Sequence, residues 1–130
     1  DTERGTLTQA VMEGVAFALR DSLAALEATG TRLDRALAVG GGTRSDFWLQ
    51  TLATVLGLPL DLPADGELGA AMGAARLALC ADTGADPATV MTPPAVAATV
   101  SPRADLTDAY DAAYARYRRL YPALKGALAS

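Results

Sequence analysis

The sequence predicts an α/β fold, mostly helical, in which helices cover a short sheet. Three observations support this fold class: helical and strand-like patterns alternate along the 130 residues, one short apolar run leads directly into three glycines, and 51% of the residues are hydrophobic. Because only 5% are aromatic, the core must consist mainly of leucine, valine and closely packed alanine and glycine. A chain of this length can bury one modest core, so we expect a single domain over 1–130.

A long amphipathic helix is predicted at the start of the chain, over 7–29. Its apolar residues recur at every third or fourth position, which places them on one face. Thr6 and Gln9 have the spacing of a capping box, and Gly30 is a typical helix-ending residue. The first element is therefore expected to pack through one side.

A strand, a glycine turn and a second helix are predicted next. The apolar run 37–39 is too short for a helix and is followed at once by the glycines at 40–42, which favours a buried strand that ends in a turn. Ser45 can cap the following helix, and Gly57 with Pro59 should end it. This segment therefore has the order strand, glycine turn, helix.

A second strand and a third helix complete the predicted core. The strand covers 60–62, residues 63–66 have the composition of a turn, and 68–81 favours a helix. Gly69 and Gly73 lie among alanines in that helix. Such small residues would allow the helix to approach its neighbour closely, which is a structural role.

The C-terminal third is predicted to hold one irregular segment and one helix, outside the core at 6–81. Segment 82–104 contains four prolines and has no helical or strand period, so we expect an irregular segment that crosses the domain without regular secondary structure. A terminal helix is expected over 105–122, ended by Pro122, with a tyrosine stripe used for packing: Tyr110, Tyr114, Tyr117 and Tyr121. Two short strands form a poor sheet, so a missing partner sheet or pairing of copies into a homodimer is expected.

Composition and charge exclude several classes of function. The chain has no histidine and one cysteine, Cys80, which excludes Ser-His-Asp and Cys-His catalysis, a histidine-ligated metal and an intrachain disulfide. With 11 basic and 15 acidic side chains the net charge is −4, so nucleic-acid binding is not expected. The absence of an 18-residue apolar run or a signal-peptide pattern indicates no membrane span and a cytoplasmic location.

The glycine turn is the strongest candidate for a binding site. Glycine lets the backbone approach a ligand, and free N–H groups at the start of the following helix favour an anion, so Gly40, Gly41 and Gly42 could hold a nucleotide. The alternative is a dinucleotide (NAD or NADP) module. The same turn fits G-x-G-x-x-S with Ser45 in the last position, and Asp61 stands where a ribose-binding acid would be expected.

Three segments taken together resemble the C-terminal part of the FGGY family of carbohydrate kinases. They are 13–21 (EGVAFALRD), 40–48 (GGGTRSDFW) and 67–75 (ELGAAMGAA), and they occur in the family's order with matching gaps. The terminal helix is also similar, so the resemblance extends from Arg4 to Leu124. Three spaced motifs are far more specific than the glycine turn alone.

The resemblance implies an actin-like, ribonuclease-H-like ATPase domain of a kinase that uses ATP and Mg²⁺. Arg44 and Asp46 become further candidates beside the turn. The expected nucleotide contacts are three glycines and one serine, namely Gly40, Gly41, Gly42 and Ser45.

The resemblance also implies that the catalytic base and the sugar-binding residues lie outside this chain. We therefore assign no catalytic residue and no metal ligand to it, and we expect the chain alone to be inactive. Its expected partners are ATP or ADP and, through the remainder of the kinase, a ketopentose such as D-xylulose. Phosphoryl transfer depends on positioning and charge stabilisation by groups on both sides of a cleft.

Overall fold

The structure is a computed structural model that describes residues 3–64 and 69–128. Five helices and three strands are found in these ranges, in the order α1 (Arg4–Ala28), β1 (Ala36–Leu37), α2 (Asp46–Leu56), β2 (Leu60–Pro63), α3 (Gly69–Thr83), α4 (Pro87–Val90), β3 (Val96–Val100) and α5 (Thr107–Leu128). A short 3-10 helix, Gly41–Arg44, connects β1 to α2. The mostly helical α/β fold is confirmed.

The sheet has the strand order β1-β2-β3. Strand β1 runs parallel to β2, with Ala36 opposite Leu60, and β3 runs antiparallel to β2, with Val100 opposite Leu60. Helix α2 covers one face of this sheet through the buried side chains of Leu49 and Ala53, which pack with Leu60. The sheet and α2 together hold the glycine turn at its position.

A second cluster joins α1, α2 and α5. Phe17 is 6% exposed and packs with Ala16 and Val55, the latter on α2. Three of the predicted stripe tyrosines surround Phe17 with ring centroids 5.5–6.4 Å away, namely Tyr110, Tyr114 and Tyr117. The predicted packing role of this stripe is therefore confirmed for these three, whereas Tyr121 is 68% exposed.

The local signals of α2 are confirmed. The Ser45 hydroxyl oxygen accepts a hydrogen bond from the amide of Trp48, and Gly57 ends the helix in the left-handed conformation at φ +67°. Both features follow from the sequence because each depends on neighbouring residues only. Part of the predicted turn at 63–66 and the start of the predicted helix at 68 lie outside the described residues.

The prediction of an irregular segment over 82–104 is wrong at two places. This segment contains α4 and the sheet strand β3, whose backbone pairs with β2. The strand was missed because its side chains are mostly exposed and so show no alternation of polar and apolar residues. Its stability comes from the ladder to β2, a partner about 38 residues away in sequence, as for Thr99 and Asp61.

Three predicted boundaries also differ. Helix α1 begins at Arg4, so Thr6 lies inside its first turn and is not a cap. Strand β1 covers Ala36–Leu37 instead of 37–39. Helix α5 continues through Pro122 to Leu128, instead of ending at 122. Residues 121–126 are exposed, so water can satisfy a carbonyl that loses its N–H partner at the proline.

Candidate functional site

The glycine turn lies directly after β1 and leads into α2. Gly40 has φ +89°, a conformation that other residues rarely adopt, so glycine is required there by the backbone itself. The carbonyl of Gly40 accepts hydrogen bonds from the amide of Thr43 (3.1 Å) and from its hydroxyl (2.8 Å). Thr43 thus closes the turn, a role that the sequence analysis did not assign.

The next two glycines present their backbone to solvent. Within 3–64 and 69–128, no acceptor is found for the amide N–H of Gly41 or Gly42, and both residues are exposed. A Cβ on Gly41 would meet no atom within 4 Å. A Cβ on Gly42 would lie 3.2 Å from Cδ1 of Trp48, so this glycine is explained by packing. Steric contact within the described residues therefore accounts for glycine at Gly42 and not at Gly41.

The N-terminus of α2 carries a side-chain cap and a carboxylate of its own. Ser45 accepts from the Trp48 amide at 3.3 Å, and Asp46 places a carboxylate in the first turn. A second anion is disfavoured there, because Asp46 already interacts with the helix dipole. The expectation of an anion at the first turn of α2 stays a prediction. Beside this turn, the amides of Gly41 and Gly42 have no acceptor among the residues that the structure describes. A serine hydroxyl that accepts one hydrogen bond can also donate one.

An apolar cleft of about 350 Å³ opens beside the turn. One wall belongs to α1 and the other to the turn and α2, and the lining residues are Val11, Met12, Val15, Gly42, Ser45 and Trp48. The side chains of Val11 and Val15 are 68% and 49% exposed. Helix α1 therefore presents apolar side chains to a cavity next to free backbone donors, a combination typical of small-molecule sites.

Contacts from α5 fix the α1 wall of this cleft. The Tyr110 hydroxyl donates to Glu13 at 3.2 Å, and Arg20 pairs with Asp111 at 2.7 Å while stacking on the ring of Tyr114. Burial, followed by the negative charge of Glu13, raises the pKa of Tyr110 above its ordinary value. Glu13 and Arg20 thus join α1 to α5.

Asp61 is not available to a ribose. Its side chain is buried, accepts from Arg35 Nη1 at 2.8 Å and from Thr99 Oγ1 at 2.6 Å, and so joins β2 to β3 and to the loop before β1. The dinucleotide alternative needed a free acid at this position. Its assignment of Asp61 to ribose binding is therefore wrong.

The glycines of α3 differ from each other. A Cβ on Gly69 would lie 2.9 Å from the Cβ of Val39, so α3 closely approaches the segment that follows β1, and the predicted close approach is found at this glycine. A Cβ on Gly73 would meet no atom within 4 Å, so close packing does not explain it. Arg44 and Asp46, the further candidates, are exposed next to the turn.

The α1 residues of the cleft were missed as site residues because the sequence pattern assigned them to the core. One feature of the sequence could have indicated them: apolar residues occur on two sides of α1. In the structure Ala16 and Phe17 on one side are buried, whereas Val11 and Val15 on the other are exposed. In the described ranges, no helix is long and apolar enough to cross a membrane, and no group of three potential metal ligands occurs.

Comparisons with known proteins agree with this geometry. The profile of the FGGY family of carbohydrate kinases, C-terminal domain, matches residues 1–81. Xylulose kinase of Escherichia coli strain K12 is 44% identical over 72 residues, which are 55% of this chain and 15% of the E. coli protein.

Two solved structures have the same fold. A kinase from Brucella ovis, described as a xyloylose kinase, is 56% identical with a TM-score of 0.84, over 97% of this chain and 26% of its own. Xylulose kinase from Rhodospirillum rubrum is 30% identical with a TM-score of 0.81, over 100% of this chain and 27% of its own. The chain thus spans about a quarter of the length of these two kinases.

Proposed function

Because this chain belongs to the FGGY family of carbohydrate kinases, as a C-terminal domain, we propose that it is the ATP-binding part of a kinase that phosphorylates a ketopentose. The substrate of the proposal is D-xylulose, with transfer of the γ-phosphoryl group of ATP to a sugar hydroxyl. The observation that carries it is the pair of amides at Gly41 and Gly42, for which the described part of the chain provides no acceptor, next to an apolar cleft.

Each half of this site suits a different part of the nucleotide. The cleft between α1 and Trp48 is apolar and about 350 Å³ in volume, which suits a planar purine base. The amides of Gly41 and Gly42 can donate to ribose or phosphate oxygens, and the absence of a Cβ at Gly41 lets those oxygens come close. Ser45 lies between the two parts and has a hydroxyl proton to donate.

The chemical step itself is assigned to residues outside this chain. Asp61 is engaged by Arg35 and Thr99, and Asp46 lies in the first turn of α2, so we assign neither as the general base. Mg²⁺ would neutralise charge on the phosphates and arrive with the nucleotide, so no metal ligand is assigned here. We therefore propose that the isolated chain binds nucleotide weakly and transfers no phosphoryl group.

The choice of D-xylulose rests on the relatives' names. Both the E. coli and the R. rubrum proteins are xylulose kinases, and the sugar contacts are proposed to lie in the part of the kinase that this chain lacks. A cytoplasmic location belongs to the same proposal, because ATP is abundant there and a single cysteine suits a reducing compartment.

A nucleotide titration followed by amide NMR shifts tests the binding site. We expect MgATP at millimolar concentration to shift the amides of Gly41 and Gly42 and to change the fluorescence of Trp48, the chain's only tryptophan. The variant Gly41→Val should lose these responses and keep its helical circular dichroism, whereas Gly126→Ala on α5 serves as a matched control in open space. A response to NAD but not to MgATP would overturn the proposal.

A further inference from the structure

The half of α1 that lines the apolar cleft is held less firmly than the rest of the helix. This half covers residues 4–15 and carries the cleft residues Val11 and Val15. None of residues 4–15 is buried, whereas Ala16 and Phe17 directly after them are. Burial therefore anchors α1 past the cleft, and the position of the cleft wall depends on contacts that the first half of the helix makes itself.

Tyr110 of α5 makes such a contact. Its hydroxyl donates to Glu13 Oε1 at 3.2 Å, and Gln9 Nε2, one turn earlier on α1, donates to the same oxygen at 2.8 Å. In the part of the chain that the structure describes, the bond from Tyr110 is the one hydrogen bond or ion pair found between 4–15 and another element. Glu13 lies among the cleft residues of α1, so this bond acts directly on the wall.

The ring of the same tyrosine reaches the support of the opposite wall. It packs on the cluster that joins Phe17 of α1 to Val55 of α2, with its centroid 6.4 Å from that of Phe17. Trp48, which lines the other side of the cleft, packs on the same cluster. One side chain thus connects the first half of α1 to the cluster on which Trp48 rests.

We propose that Tyr110 is a positioning residue of the nucleotide site, which acts through Glu13 to hold the α1 wall at the distance from Trp48 that a purine base requires. The inference rests on the proposed function, because base binding in the cleft is part of that function. It brings into the site a residue of α5, outside the range 1–81 that matches the family profile. Without the hydroxyl, part of the binding free energy would be lost in ordering the first half of α1.

Tyr114 supplies a matched control. Its hydroxyl also donates from α5 to a carboxylate of α1, that of Asp21, which lies past Phe17 and outside the cleft lining. Tyr114→Phe keeps the ring on which Arg20 stacks and removes one hydrogen bond between α5 and α1, as Tyr110→Phe does. A loss of affinity that follows only from a weaker interface between these helices should therefore appear in both variants.

Titrations of the chain with MgATP, adenosine and magnesium tripolyphosphate, followed by the amide shifts of 40–48, test the inference. We expect Tyr110→Phe to raise the dissociation constants of MgATP and adenosine about tenfold, because both place a base in the cleft. The affinity for tripolyphosphate should not change, because it has no base and contacts the glycine turn alone. Tyr114→Phe should alter none of the three affinities. Glu13→Gln keeps an acceptor oxygen and should bind MgATP like the natural chain, whereas Glu13→Ala should behave like Tyr110→Phe.

Hydrogen exchange without nucleotide tests the positioning separately from binding. Tyr110→Phe should speed exchange of the amides of 8–15 about tenfold and leave 18–26 unchanged, whereas Tyr114→Phe should leave 8–15 unchanged. Unchanged MgATP affinity in Tyr110→Phe would overturn the inference. So would an equal loss of affinity in Tyr114→Phe, or unchanged exchange at 8–15 in Tyr110→Phe. A chain that binds neither MgATP nor adenosine, but in which Tyr110→Phe alone speeds exchange at 8–15, would refute the proposed function and still support the hold of Tyr110 on α1.

Discussion

Alanine at each position of the glycine turn should have a different effect, because each glycine has a different physical reason. At Gly40 the φ of +89° and ψ of 179° make any side chain strained, so Gly40→Ala should lower the free energy of unfolding by about 1–3 kcal/mol. At Gly42 the new methyl would lie 3.2 Å from Trp48, so the ring must move by a few tenths of an ångström at a cost of about 1 kcal/mol. At Gly41 nothing lies within 4 Å, and the change should stay within about 0.5 kcal/mol.

Urea unfolding of the three variants, followed by circular dichroism, measures these differences. The three variants should rank differently in their affinity for MgATP. Gly41→Ala should weaken MgATP binding although it changes the free energy of unfolding least, because only a ligand needs the space at that position. Gly42→Ala should also shift the emission of Trp48 without nucleotide. The reasoning would be refuted if Gly41→Ala lowered stability as much as Gly40→Ala, or if it left nucleotide binding unchanged.

Three further predictions concern the contacts that hold the site. Phe17→Ala should cost about 3–5 kcal/mol of unfolding free energy, because the ring is 6% exposed among three tyrosines. Tyr121→Ala, at a residue that is 68% exposed, should cost under about 0.5 kcal/mol. Equal losses of unfolding free energy in urea would contradict the assigned core. Asp61→Asn should lose about 1–3 kcal/mol, because the buried carboxylate bound by Arg35 loses its charge; unchanged urea unfolding would show that this link is not structural. The pKa of Tyr110 is raised, so the stability that its neutral form contributes is complete below pH about 10 and is lost as the pH rises through the raised value. Tyr110→Phe should therefore reduce the decline of the unfolding free energy in that range. An unchanged pH profile would contradict this.

Local signals allowed much of α2 and the glycine turn to be predicted. The cap at Ser45 and the left-handed end at Gly57 depend on residues within one or two turns, and both are confirmed. Strand β3 could not be predicted because its exposed residues are held by pairing with distant β2. Helix α5 continues past Pro122 because, in an exposed helix, water can replace the lost hydrogen bond.

The candidate site was predicted in part. The turn itself follows from three consecutive glycines, but the different reasons for Gly40, Gly41 and Gly42 depend on φ and on the position of Trp48. Val11, which lines the cleft on α1, was assigned to the core. A helical repeat of apolar residues does not show which of two apolar faces packs against a neighbouring element. Asp61 was misread because its partners come from elsewhere in the sequence, 26 and 38 residues away.

The most direct test of the central claim is a coupled assay of ADP formation by a chimera in which this chain replaces the matching C-terminal region of the B. ovis kinase. The account predicts ADP formation that requires both MgATP and D-xylulose, and that falls at least tenfold in the Gly41→Val chimera while the Gly126→Ala chimera keeps its activity. A folded chimera that forms no ADP with D-xylulose, or one in which Gly41→Val retains full activity, would contradict the claim that this chain provides the ATP site of a sugar kinase.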